Sequence, residues 1–346
     1  MEEFRIMKIL QIGAGSMGKR RMRDLSARGG FEIALIDSRE DRRSAAVEKF
    51  GVSTFDTLDE ALKWKPDAMI ISAGPLNHRK LIETAMENGL NCFCEASVFG
   101  YDCEVVEKVA KEKSLVFAPS VTPYFYPVTE PLRKVISEEL GSLFFYSASS
   151  TFYVPEWHPG ETADEYYALN RATSAAREVL PFNLLFINNV FDCTPTAVSG
   201  VVEKRGNLDI DSEDTWCLQM KLSNGATGYI NTTMACRQSQ NLFMAVGTNG
   251  VIEYDLVAGT IRRKLPGIGI DDTLEAGSAL PVLETCYANE IYSFADTILG
   301  TAVYPFTYRD LAHSIAALAA GEKSAISGIM EKVDLSVLPA ELPDQY

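Results

Sequence analysis

Histidine is scarce in this chain: His78, His158 and His313 are the three among 346 residues. No cluster of His, Cys, Asp and Glu at metal-ligand spacing accompanies them. There is no Ser-His-Asp order and no P-loop lysine, so a resident metal, triad hydrolysis and P-loop phosphate transfer are all set aside. Positive charge is also short. The 32 Lys and Arg face 47 Asp and Glu, and a net charge of −15 argues against nucleic acid and anionic membranes as partners. No apolar run reaches the roughly 20 residues needed to span a bilayer. The opening MEEFRIMKIL carries acids and lacks the apolar core of a signal peptide, which makes a cytoplasmic location the expectation. The seven cysteines are odd in number and lack framework spacing, the pattern of free thiols in a reducing compartment. Cys92 and Cys94 fall on one face of a predicted strand without further ligands nearby, and read as buried core thiols.

What is present is concentrated in residues 7–37, which read as strand, glycine-rich turn, helix, strand and acid. Gly13, Gly15 and Gly18 supply G-x-G-x-x-G spacing: Gly13 for a tight turn, Gly15 for close approach of a pyrophosphate, Gly18 for helix-on-strand packing. The helix N-terminus offers N–H groups and a positive dipole end to phosphates. Asp37 closes the second strand, in register to accept hydrogen bonds from the adenosine ribose. The expected cofactor is NAD, since a carboxylate repels a 2′-phosphate. NADP stays open, because Arg39, Arg42 and Arg43 follow at once.

Short apolar strands then alternate with amphipathic helices as far as residue 118. Helices are predicted at 39–50, 58–64, 78–88 and 102–113, and strands at 52–55, 67–72, 91–94 and 115–118. This is the pattern of a parallel sheet with helices on both faces, whose ligands bind beyond the carboxyl ends of the strands. Gly13, Asp37, Gly74, Pro75 and Glu95 fall along that rim. After Pro119 the pattern changes. A helix at 124–140, a strand at 143–152, an irregular aromatic segment, an apolar helix at 178–191, several strands between 196 and 263, and helices at 290–299 and 308–319 predict an α+β domain on a mostly antiparallel open sheet. The domains expected are 1–121, a dinucleotide-binding Rossmann domain, and 122–346, for substrate binding and oligomerisation.

The strings GAGSMGKRRMRDL, ISAGPLNH, FCEAS and GTNGVIEYD, with this layout, resemble the glucose-fructose oxidoreductase / inositol dehydrogenase / rhizopine catabolism (Gfo/Idh/MocA) family over nearly the whole chain. The resemblance implies an NAD(P)-dependent oxidoreductase acting on a carbohydrate hydroxyl. The cofactor contacts expected are Gly13, Ala14, Gly15, Ser16, Met17, Gly18, Asp37, Ser38, Arg39, Ala73, Gly74, Pro75, His78, Glu95 and Ala96. The resemblance also implies a homodimer or homotetramer. In that family the string at 93–97 ends in Glu-Lys-Pro, and its lysine helps move the substrate's proton. Here it is Glu95-Ala96-Ser97. The family's Asp-x-x-x-His helix corresponds to AREVLPFNLLFINNVFD, with the aspartate at Glu178 or Val179 and the histidine at Phe182 or Asn183.

Hydride transfer from a carbinol needs a group to take the hydroxyl proton. The candidates are Glu178, alone or paired with Arg177, and His158 in the loop PEWHPG. Tyr124 at the start of the second domain is a third, and Asn183 is a hydrogen-bonding partner unable to exchange a proton. Two alternatives stay open. One is a redox-neutral NAD-dependent sugar epimerase or lyase-type enzyme, and the other is a non-catalytic NAD(H)- or sugar-binding regulatory protein.

Overall fold

A computed structural model describes residues 6–158, 166–255, 258–336 and 338. The chain divides into two compact units, Met1–Thr122 with Glu284–Asp310, and Pro123–Leu283 with Leu311–Tyr346.

The first unit runs β1 (Met7–Ile12), α1 (Ser16–Arg28), β2 (Phe31–Ile36), α2 (Glu40–Phe50), β3 (Ser53–Thr54), α3 (Leu58–Lys63), β4 (Ala68–Ile71), α4 (His78–Asn88), β5 (Asn91–Cys94), α5 (Cys103–Lys113) and β6 (Phe117–Pro119). The six strands form a wholly parallel sheet in the order β3-β2-β1-β4-β5-β6. The order reverses between β1 and β4, so the ligand crevice of a doubly wound sheet opens there. The strands are near-continuous apolar runs because both faces are covered: every residue of β4 is fully buried. Caps set the helix ends. The Thr57 side chain accepts from the Glu60 amide at the start of α3, and Asp102 from Glu104 and Val105 at the start of α5.

The second unit contributes α6 (Thr129–Glu138), β7 (Leu143–Tyr153), α7 (Ala175–Phe191), β8 (Pro195–Glu203), β9 (Thr215–Leu222), β10 (Thr227–Thr233), β11 (Ala235–Gly247), β12 (Gly250–Asp255), β13 (Thr260–Leu265) and β14 (Ile270–Glu275). Then come α8 (Leu283–Ile298), which belongs almost wholly to the first unit, α9 (Tyr308–Ser327) and the short β15 (Glu331–Lys332). Nine strands lie in the order β14-β13-β12-β11-β7-β10-β9-β8-β15. All neighbours are antiparallel except β7 and β10, which run parallel. One face is apolar, with Tyr146, Ala148, Trp216, Leu218, Met220, Ile230, Phe243, Ile252 and Tyr254 all buried. The core stacks in rings: Tyr146 lies 5.1 Å from Phe191 of α7 and nearly parallel to it.

Several element boundaries differ from expectation. The helix predicted at 124–140 is a 3-10 turn at Thr122–Phe125 followed by α6, since Pro127 interrupts it. The apolar helix begins three residues earlier, at Ala175, and carries Pro181 inside it. The helix predicted at 290–299 starts at Leu283, and β14 and β15 lie beyond the expected strands.

Candidate functional site

At the ends of β1 and β2 the glycine turn has the geometry its spacing requires. Gly13 sits at φ +88°, and a Cβ there would meet Ser72 O at 2.5 Å. A Cβ on Gly18 would collide with Gly13 O, so that residue is fixed by packing. The space above Gly15 is open: the nearest atom that a Cβ there would meet is Arg42 Nη1, at 3.9 Å. Gly15 is also the N-terminal cap of α1 and offers no side chain to the first-turn amides of Ser16, Met17 and Gly18, which leaves them for a ligand. Asp37 is buried. Its Oδ2 accepts from the Ala14 amide at 2.6 Å and its Oδ1 from the Arg39 amide at 2.8 Å. A carboxylate has about four acceptor sites, so two hydroxyls can still be accommodated. The three arginines have separate engagements: Arg39 pairs with Asp41, Arg43 donates to Asp37 O at 2.6 Å, and Arg42 stands 3.9 Å from Asp37 Oδ2. Open space over Gly15, a glycine-only turn and a fixed acid fit a dinucleotide.

At the ends of β4 and β5 the rim is built on buried charge. Arg21, wholly buried on α1, donates through Nε to Glu95 Oε1 at 2.8 Å and through Nη2 to Glu95 Oε2 at 3.1 Å. The same Nη2 reaches Oε2 of Glu290 on α8 at 2.7 Å, and Nη1 donates to Tyr287 O at 2.9 Å. Glu290, also wholly buried, accepts from the Ser120 hydroxyl at 3.0 Å, the Val121 amide and the Thr122 hydroxyl at 2.9 Å. Burial pushes the Glu290 carboxyl above the usual carboxylate range, and Arg21 opposes it. For Arg21, burial alone would lower the pKa, but Glu95 and Glu290 together hold it above its ordinary value. Glu95 is the member that reaches the surface, with 11% of its side chain exposed, and Ser72 Oγ donates to it at 3.3 Å.

His78 ties the two neighbouring loops together. Its Nε2 is 2.9 Å from Ala73 O, which can only accept, so Nε2 carries the proton. Its Nδ1 therefore accepts from the Ser97 hydroxyl at 2.7 Å. Burial holds the imidazole below its ordinary pKa of 6.5, with the Ala73 carbonyl working the other way. Ala73, Gly74 and Ala96 are half-buried on the same rim, Pro75 is buried, and Ser38 is exposed. Cys92 and Cys94 are buried free thiols, and burial pushes Cys94 up to about 12.

In the second unit, Arg177 is wholly buried and bidentate on Glu322 of α9, at 2.6 and 3.1 Å, with Nη1 on Ala172 O at 2.7 Å. That is an anchor inside the unit, where the sequence points to a substrate contact. Glu178 is half-buried and accepts from the Tyr167 hydroxyl at 3.3 Å. His158 is half-buried with its ring 4.2 Å from Tyr166, and Trp157 stacks on Phe152 at 4.6 Å. Residues 159–165 of that aromatic segment lie outside the described residues. Tyr124 packs against Phe125, with Arg133 over its ring. Asn183 lines a small cavity of about 20 Å³ between α7 and the sheet, with Ser149, Ser150, Asn241 and Tyr254 among its neighbours. The Tyr254 hydroxyl is buried there without a hydrogen-bond partner among the described residues. Burial raises its pKa. The cavity has room for about one water.

Sequence reasoning did not single out Arg21, Glu290, Ser97 or Tyr254. Arg21 and Glu290 carried one available signal, a charge on the apolar face of a helix. Among the described residues no group of His, Cys, Asp and Glu is arranged to hold a metal, and no helix is long and apolar enough to cross a membrane.

Two family models match. Residues 7–118 match the oxidoreductase family with NAD-binding Rossmann fold, and residues 131–253 match the GFO/IDH/MocA C-terminal domain. No curated protein sequence matches. Solved structures with the same fold include myo-inositol 2-dehydrogenase from Lactobacillus plantarum, at 18% identity and TM-score 0.76, covering 95% of this chain and 99% of that one. The WlbA dehydrogenase from Bordetella pertussis, in complex with NADH and UDP-GlcNAcA, is 15% identical with TM-score 0.78, covering 95% and 98%. Levoglucosan dehydrogenase, in complex with NADH and levoglucosan, is 16% identical with TM-score 0.78, covering 94% and 99%. At these identities the likeness speaks for the fold.

Proposed function

Because the chain belongs to the Gfo/Idh/MocA oxidoreductase family and carries its NAD-binding domain, we propose that it is an NAD-dependent dehydrogenase oxidising a hydroxyl of a sugar, sugar acid, cyclitol or nucleotide-linked sugar. The observation that carries this is the glycine turn, with Gly13 at φ +88° and Asp37 fixed behind it. Three similar folds support the substrate class: two are named for myo-inositol and levoglucosan, and the third was crystallised with UDP-GlcNAcA. In this reading Asp37 and the α1 N-terminus take the adenosine ribose and pyrophosphate. The nicotinamide lies at the Ser72–Glu95 end of the rim, where NAD, when bound, supplies the hydride acceptor.

The residues assigned to the substrate are in the second unit. Ala96 stands where the family's lysine is expected, so the hydroxyl proton goes to another group, Glu178 or His158. Asn183 and Tyr124 offer hydrogen bonds to the remaining hydroxyls. Arg177 supports this indirectly, since its ion pair with Glu322 anchors the start of α7, which carries Glu178. Absorbance at 340 nm with NAD⁺ and a panel of those four substrate classes tests the proposal. NADH accumulation is expected with at least one class, and its absence in single turnover with every class would sink it. Glu178→Gln and His158→Gln then separate the two proton acceptors by which one removes the acidic limb of the pH–rate profile, since a base is lost by protonation at low pH.

Ala96 in place of the expected lysine fits equally a second reading, in which NAD is reduced and reoxidised within one turnover. That enzyme would give a transient at 340 nm without net NADH. Self-association as a dimer or tetramer is assigned to the outer face of the nine-stranded sheet, which exposes Val201, Tyr229 and Leu242. A cytoplasmic location belongs to the same proposal.

A further inference from the structure

The buried cluster behind the rim is not electrically balanced. Arg21 contributes one positive charge, and Glu95 and Glu290 one negative charge each. Among the described residues, the ionisable groups that face the cluster are neutral or paired. Burial holds the Tyr287 and Tyr304 phenols and the Cys94 thiol protonated, and keeps His78 uncharged. Arg20 and Arg23 are matched by Glu284 and Asp24. Both oxygens of Glu290 are met by donors, including the Val121 amide on one and Arg21 Nη2 on the other, which is how an ionised carboxylate is satisfied. One negative charge is therefore left over, carried in a buried site whose surface member is Glu95.

A nicotinamide ring is positively charged in NAD⁺ and neutral in NADH. An uncompensated buried charge interacts through a low-dielectric path and escapes screening by salt. We propose that the Arg21–Glu95–Glu290 cluster poises the bound cofactor: its excess negative charge favours NAD⁺ over NADH, biasing the protein towards oxidation of its substrate. This rests on the reading above that the nicotinamide lies at the Glu95 end of the rim. Glu290 acts at a distance from the ring, as a tuning residue.

The test is equilibrium binding of NAD⁺, NADH and ADP-ribose to the wild type, Glu290→Gln and Glu95→Gln. Each variant removes one unit of negative charge. The ratio Kd(NADH)/Kd(NAD⁺) is expected to fall roughly five- to tenfold in both variants. A tenfold fall is about 30 mV in the potential of the bound two-electron couple. ADP-ribose, which lacks the nicotinamide, is expected to bind Glu290→Gln within about twofold of wild type. An unchanged ratio in a folded Glu290→Gln overturns the proposal. So does an equal weakening of all three ligands, which a merely structural role would produce. If Glu290→Gln does not fold, the ratio in Glu95→Gln decides. A wild type that binds none of the three ligands overturns the cofactor reading itself, whereas normal binding with an unmoved ratio overturns only the charge proposal.

Discussion

The two ends of the parallel sheet's rim are built in different ways. At β1 and β2, position is enforced by backbone: Gly13 at positive φ, Gly18 against Gly13 O, and Asp37 pinned by two amides. At β4 and β5 it is enforced by side chains: the Arg21–Glu95–Glu290 ions and the Ser97–His78–Ala73 chain of hydrogen bonds. Backbone devices tolerate almost no substitution, and they coincide with the glycine spacing legible in the sequence. Side-chain devices can be exchanged as a set, and Glu95-Ala96-Ser97 is where the resemblance leads one to expect a lysine. Proline in the family's tripeptide would stiffen that turn through its ring. Here Ser97 does so through a hydroxyl donated to a neutral imidazole.

The sharpest way to break this contrast is at Arg21. Arg21→Met leaves two buried carboxylates without a counter-charge and is expected to cost about 3–5 kcal/mol of unfolding free energy, read from urea denaturation. A loss below about 1 kcal/mol would mean the cluster is not the prop of the β5 end. Gly13→Ala is expected to cost about 2–3 kcal/mol, through its φ and the collision with Ser72 O, and to abolish measurable NAD⁺ binding. Asp37→Ala should leave the fold intact and weaken NAD⁺ by about 1–3 kcal/mol in calorimetry. Unchanged affinity would count against the ribose contact.

The smallest expected effect sharpens the side-chain half. Ser97→Ala is expected to lose about 1 kcal/mol of stability. His78 adds a pH signature. Its native pKa lies below 6.5, so between the two values the unfolded chain binds a proton that the native state does not. Stability therefore rises with pH across that window and is lost as pH falls below about 6.5. Melting temperatures of wild type and His78→Gln between about pH 8 and pH 5 check this. The wild type should lose more, and parallel curves would remove His78 from the picture.

The same contrast explains how much was legible beforehand. Local devices announce themselves in sequence: three glycines at fixed offsets, an acid about 20 residues on, alternating strand and helix. The fold class and the cofactor followed from them, and both family models agree. Long-range devices leave no local trace. Arg21 and Glu290 meet across 269 positions, and nothing around either names the other. Arg177 shows the same thing. Its neighbour Glu178 is the partner the sequence offers, whereas the guanidinium is bidentate on Glu322, 145 positions on. Glu178, His158, Asn183 and Tyr124 kept their candidacy because they sit on or beside α7 or in aromatic packing, and their roles depend on a substrate that sequence does not name.

Hydride transfer without the family's lysine is tested most directly by isotope. The protein would be incubated with NADH carrying deuterium at C4 of the nicotinamide and with keto forms of the four substrate classes, and the alcohols analysed by mass spectrometry. The expected result is one product class carrying a single deuterium at the new carbinol carbon, with stoichiometric NAD⁺. Recovery of fully deuterated NADH beside unlabelled substrates in every class, from protein shown to bind the cofactor, would contradict it.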